Sequence, residues 1–210
     1  MSVVHAPVRK KPFVRDILGR SDYAIISEIV EPNTKVLDLG CGEGELLEWL
    51  AENKGVDARG VEISGSKVQR AIARGVSVYQ GDIDEGLADY PDQAFDYVIL
   101  SQTLQETRSP RKVMREMLRV GRRAIVAFPN FAHWPVRLAL LLHGRAPKTK
   151  LFPHNWWDSP NIHFLSVDDF EALCALEGLV IERHYCLAGH RRIRWLANLR
   201  AEVAVYLVRR

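Results

Sequence analysis

The sequence predicts an α/β domain: a seven-stranded, mostly parallel sheet with an antiparallel strand pair near the C-terminus. Three observations carry this. From residue 21 to 128, short β-rich runs alternate with helix-length amphipathic runs across short connections, the signature of a parallel sheet covered on both faces. Two further β-rich runs, 179–186 and 202–208, have no long helix between them. The composition, 47% hydrophobic and 26% charged, is that of an ordinary globular chain and excludes disorder or collagen-like structure.

SDYAIISEIV (21–30) sets Tyr23, Ile26 and Val30 at helical spacing and predicts a covering helix. KVLDL (35–39) reads as a buried strand, and ELLEWLAEN (45–53) as a helix with Leu46, Trp49 and Leu50 on one face. DARGVEI (57–63) is the second strand. The helix over 64–74 takes Ser64 as N-cap, turns Val68, Ala71 and Ile72 inward, and stops at Gly75. Residues 76–80, 95–100 and 123–128 read as strands, with a helix over 110–120 burying Val113, Met114, Met117 and Leu118. Ser166 and Asp169 form a capping-box start to a helix over 167–177.

At 210 residues, one domain (13–210) behind a short basic tail (1–12) is expected. Such a chain buries roughly 70% of its extended surface, so its core needs no staples. The net charge, 29 − 26 = +3, is too mild to demand nucleic acid or membrane. Three widely spaced cysteines, Cys41, Cys174 and Cys186, argue against a disulfide framework or thiolate zinc site and for a reducing compartment. The basic N-terminus has no signal-peptide core, and the greasiest run, 136–144, is half a membrane span and contains Arg137. A cytoplasmic protein is expected.

The chemistry concentrates at VLDLGCGEG (36–44). Asp38 lies near the end of a strand, and Gly40, Gly42 and Gly44 turn the chain into a helix where a ligand can approach the backbone. A dinucleotide fingerprint would need glycine or alanine where Glu45 stands, and Glu43, Glu45 and Glu48 would repel a pyrophosphate. No phosphate-loop GK[ST] follows. These acids suit a ligand with positive charge and no phosphate. Glu62, 18 residues after Gly44, can accept from both hydroxyls of a ribose. In GDI (81–83), Asp82 can accept from an adenine amino group and Ile83 can pack on its ring.

These elements, in this order, resemble the S-adenosylmethionine-binding motifs of class I methyltransferases over about residues 34–130. The resemblance implies a Rossmann-like class I fold and S-adenosylmethionine or S-adenosylhomocysteine as ligand. It implies cofactor contacts at Asp38, Gly40, Cys41, Gly42, Gly44, Glu62, Ile63, Asp82, Ile83 and Ser101, with Asp38 near the methionine end.

Methyl transfer does not follow from cofactor binding. SQTLQE (101–106) lacks the [ND]PP[YF] motif of base-amino methylation, and Gln102 and Gln105 take no proton at neutral pH. His133, His154 and His163 stand 21 and 9 residues apart, matching no local metal-ligand pattern. Residues 129–165 hold three of the five Trp, including the Trp156–Trp157 pair, and are expected to form a lid or docking insertion. Arg108, Arg111, Arg115 and Arg119 step along one helix face, read as solvated, with an acidic protein or RNA as alternative partners.

The runs VLDLGCGEGELLEWL, GVEISGSKV, SQTLQETRSPRKVMREMLRVGRRAIVAFPNFAHWPVR and WWDSPNIHFLSVDDFE resemble the MetW family of bacterial methionine-biosynthesis proteins over about residues 13–190. The resemblance implies an accessory, activating partner of homoserine O-acyltransferase, with a docking surface expected at His133, Trp134, Trp156 and Trp157. The alternative is a genuine methyltransferase for a small molecule or, third, RNA.

Overall fold

The computed structural model describes residues 20–210. The tail expected over 1–12 and the domain start at 13 lie outside the described residues. After helix α1 (Ser21–Ile29), the chain alternates β1 (Lys35–Leu39), α2 (Glu45–Lys54), β2 (Asp57–Glu62), α3 (Gly65–Ala73) and β3 (Ser77–Gln80). β4 (Phe95–Ser101), a 3-10 turn (Leu104–Glu106), α4 (Pro110–Val120) and β5 (Gly121–Pro129) follow. α5 (Trp134–His143), α6 (Val167–Leu176), β6 (Val180–Ala188), β7 (Arg191–Ile193), α7 (Ala197–Arg200) and β8 (Val203–Arg209) complete the described chain.

The sheet runs β3-β2-β1-β4-β5-β8-β6-β7. β1 to β5 pair in parallel, whereas β8 is antiparallel to both β5 and β6. The architecture is the expected mostly parallel sheet with antiparallel C-terminal strands, but among the described residues it has eight strands, not seven. The addition is β7, which pairs Arg191–Ile193 with Cys186–Ala188. Its basic, mostly exposed residues show no alternation of apolar side chains, so nothing in the sequence pattern marks it.

Alternate residues of the central strands supply two cores. Leu37, Leu39, Val98, Leu100, Val126 and Phe128 face α4 and α6 on one side. Val36, Tyr97, Ile99, Ile125 and Ala127 face α1 and α2 on the other. Period-two alternation with both faces apolar makes these strands near-continuous hydrophobic runs. α6 begins with the expected capping box: Ser166 Oγ accepts from the Asp169 amide at 3.2 Å, and Asp169 accepts from the Ser166 amide at 2.9 Å.

One local expectation is met in position only, and one needs correction. Ser64 occupies the N-cap position of α3 but makes no side-chain capping bond; its hydroxyl lies 3.1 Å from that of Ser66. Ile72 is 56% exposed. Only Val68 and Ala71 of α3 are buried, because this short helix covers the sheet near its β3 edge with a narrow stripe.

Candidate functional site

Because β1, β2 and β4 are parallel neighbours, their carboxyl ends open on one rim. Glu62, at the end of β2, is the node there. Its carboxylate accepts from the amides of Gly42 (3.0 Å) and Ser64 (2.9 Å), while its carbonyl accepts from the Gly81 amide (3.1 Å). One residue thus ties the glycine-rich turn to the loops after β2 and β3. The amides of Gly40 and Cys41 complete the tie by donating to the Val61 carbonyl at 2.8 and 3.1 Å.

The turn depends on its glycines. Gly40 has φ +73°, and a Cβ there would come within 2.8 Å of Thr103 Oγ1. Gly42 also has positive φ, +60°, but has open space where a Cβ would stand, so its backbone faces the cleft bare.

The cleft encloses about 590 Å³, within the roughly 300–1,000 Å³ of small-molecule sites. Gly40, Cys41, Gly42, Glu62, Ile63, Asp82, Ile83 and Ser101 of the expected set line it. Two of that set do not. Gly44 turns the chain into α2 under Ala71 and Val76. Asp38 lies beneath the cleft wall, 3% exposed, with its Oδ1 lacking any hydrogen-bond partner. Burial dominates its titration and lifts its carboxyl to about 7; Arg20 opposes the rise, and Asp22 and Glu62 add to it. Asp82 is already engaged, accepting from the Asp84 amide at 2.9 Å and pairing with Arg108 at 2.9 Å. The Cys41 thiol is pushed up to about 12, mainly by burial, and is inert.

Other lining residues were not anticipated. Arg20 donates to Ser101 Oγ (3.0 Å) and to Asp22 (2.5 Å), and Ser101 donates to Asp22 at 2.6 Å. Since Asp22 and Ser101 lie 79 residues apart in sequence, no local pattern announces this triad. Glu106, in the 3-10 turn after β4, lines the cleft with its carboxyl raised by burial. It belongs to the SQTLQE run, beside the two glutamines that take no proton. Gln102 holds φ +57°, a conformation glycine favours, and its amide donates to the Ala127 carbonyl.

The surrounding charges are mostly balanced within the chain. Glu43 pairs with Arg70 at 2.8 Å, and Glu48 and Glu45 meet Arg74 at 2.9 and 3.6 Å, so the glutamates flanking the turn do not form an unopposed acidic field. On α4, Arg111 and Arg115 share Glu177, and Arg119 pairs with Glu116 and Asp92. That face is an intramolecular ion-pair network, and it offers RNA little free charge.

Residues 129–165 are not one structureless loop, since they contain α5. The amides of Ile162 and His163 donate to the Gln105 carbonyl, fastening the segment to the turn that carries Glu106. Trp134, Trp156 and Trp157 are exposed, but His133 is buried before α5, where its carbonyl accepts from the Val136 amide. His133 is thereby removed from the expected docking surface.

Residues 20–208 match the model of the family described as "Methionine biosynthesis protein MetW". The chain belongs to the MetW family. It is 36% identical over 176 residues to the "Bifunctional methionine biosynthesis protein MetXA/MetW" of Rhodopirellula baltica, covering 80% of this chain but only 28% of that protein. Among solved structures, a methyltransferase from Mesorhizobium loti described as S-adenosylmethionine-dependent aligns with TM-score 0.65 and 15% identity over 91% of this chain and 99% of that one. A possible histamine N-methyltransferase from Thermotoga maritima gives TM-score 0.64 and 17% identity over 93% and 92%. The chain is therefore a methionine-biosynthesis protein with the class I S-adenosylmethionine methyltransferase fold. Among the described residues, no helix is long and apolar enough to cross a membrane.

Proposed function

We propose that the chain binds S-adenosylmethionine in this cleft and serves, in the cytoplasm, as an accessory partner that activates homoserine O-acyltransferase. The observation that carries the partnership is the Rhodopirellula relative, a bifunctional protein whose name joins MetXA and MetW in one polypeptide. Cofactor binding is supported by the bare Gly42 backbone and the Glu62 node on the cleft wall. Glu62 keeps acceptor capacity for ribose hydroxyls, since a carboxylate offers about four lone-pair sites and two are used by amides. Gly40, Cys41, Ile63 and Ile83 would wall the ligand, Asp82 would receive the adenine amino group, and Arg20 and Ser101 would face the methionine end. Bound there, S-adenosylmethionine supplies an electrophilic methyl group.

A second reading, methyl transfer to a small acceptor, is favoured by Glu106. A buried-shifted carboxyl on the cleft wall is a reasonable proton acceptor. Reconstitution separates the two. Homoserine acylation by the purified acyltransferase should rise on adding this chain and be unaffected by Glu106→Gln. Labelled methyl transfer to extract metabolites, lost in Glu106→Gln and with acylation unmoved by the chain, would establish the second reading instead.

A further inference from the structure

α5 is a helix almost without a core of its own. Of its ten residues, WPVRLALLLH, only Val136 is buried, while Leu141 is 82% and Leu142 66% exposed. A helix that packs on its own domain buries a continuous stripe; this one is apolar nearly all round and buries one residue. The chain beyond α5 continues the surface. Phe131 packs on Phe164 (4.5 Å between ring centres) and Phe152 (5.4 Å), propping open a small recess walled also by Pro147 and Trp156.

The charge around this face differs from that elsewhere. Residues 131–157, 27 in all, contain no Asp or Glu but four cations: Arg137, Arg145, Lys148 and Lys150. Arg137 donates to the Ala132 carbonyl, Lys148 to the Asn155 amide oxygen, and Arg145 and Lys150 meet no carboxylate among the described residues. The α4 arginines, by contrast, are neutralised in place. An apolar ridge with an uncompensated cationic rim calls for an apolar groove with an acidic rim.

We infer that α5, through Leu138, Leu141 and Leu142, together with the Trp156 recess, is the surface on which the homoserine O-acyltransferase sits. This inference rests on the accessory reading above. A second copy of the chain fits poorly, because a two-fold contact would press this cationic rim against itself. An anionic bilayer would satisfy the charge but has no fixed knob for the recess, whereas a protein groove supplies both. The covalent joining of the two names in the Rhodopirellula relative favours the same occupant. The Gln105 carbonyl, which holds Ile162 and His163, links this surface to the turn bearing Glu106, so partner and cleft share one support.

The test measures affinity of the full chain for purified homoserine O-acyltransferase by calorimetry. Leu141→Asp and Leu142→Asp should each weaken the Kd by about 30-fold or more and abolish the rise in acylation, since central apolar anchors carry most interface energy. Arg145→Glu with Lys150→Glu should slow association and flatten its salt dependence. Leu176→Asp, at an exposed position on α6 away from this surface, should change neither. Circular dichroism and S-adenosylmethionine binding should stay at wild-type values in all four. If wild type binds the acyltransferase and both leucine variants bind equally well, the docking surface is wrong while the accessory reading stands. If wild type does not bind the acyltransferase, both fail. If Leu141→Asp abolishes only self-association in sedimentation, or only retention on phosphatidylserine vesicles, the surface belongs to a second copy or to lipid and the inference is overturned. Should either aspartate disturb the circular dichroism spectrum, the exposed charge-reversal pair decides, with an unchanged association rate overturning it.

Discussion

Replacing Asp38 by Asn should make the protein's stability less dependent on pH, by an amount the structure sets. In the folded protein burial holds the Asp38 carboxyl at about 7, against an ordinary value of 3.8. Below the ordinary value, folded and unfolded chains both keep the proton and the group adds no pH dependence. Between the two values only the folded chain keeps it, so stability falls by about 1.4 kcal/mol per pH unit as pH rises. Above 7 both are ionised, and the loss levels off at about 4 kcal/mol. Asp38→Asn removes this titration with little change in shape. Its stability relative to wild type should grow by about 2–3 kcal/mol between pH 5 and pH 8. Urea unfolding of both proteins at pH 5, 6, 7 and 8, followed by circular dichroism, reads that growth directly. Parallel stability curves would refute the account of Asp38 as a buried carboxyl protonated near neutrality. A cationic group binding nearby would ionise Asp38, so calorimetric titrations with S-adenosylmethionine at pH 7 should show proton release that depends on buffer ionisation heat and is absent in Asp38→Asn.

Glu62→Ala strips acceptors from the Gly42 and Ser64 amides, and loss of two charge-assisted bonds at a 5% exposed residue should cost about 3 kcal/mol, read as a lower Tm. The same variant should lose measurable S-adenosylmethionine binding. Asp82→Ala should weaken that binding about tenfold, while Arg108→Ala, which removes only a 73% exposed partner of Asp82, should change the Kd less than about threefold; isothermal titration separates the two. Gly60→Ala would drive a methyl group into Cys41 Sγ and should destabilise by about 1–3 kcal/mol. Cys41→Ala should recover most of that loss in the double variant, whereas additive unfolding energies would show that the clash is not with the thiol.

The parallel core was legible because strands such as KVLDL and FDYVIL are buried on both faces and separated by helices with clear apolar stripes. The glycine turn, Glu62 and the loop at Asp82 were legible because local backbone needs fix residue types at set spacings. What escaped was non-local or patternless. Arg20 reaches Ser101 across 81 residues, a contact no window of sequence contains. α5 lacks any polar face, so LALLL between Arg137 and His143 carries no period that distinguishes a solvent-facing helix from a buried one. Ile72 misled for a related reason: spacing names a face, but not how wide a stripe a short helix at a sheet edge covers. Asp38 shows the remaining limit, since its place at a strand end was readable but its seclusion behind the cleft wall depends on packing.

β8 follows every other described strand in sequence, yet it lies between β5 and β6 within the sheet. During synthesis, therefore, β6 and β7 leave the ribosome with no neighbour to join them to the parallel half. The nascent chain must hold β5's open border, from Ala124 to Pro129, in waiting until Val203–Val208 arrives. Until that late insertion the rim of β5 is a bare template for any extended segment, and this interval is when a chaperone has the most to protect.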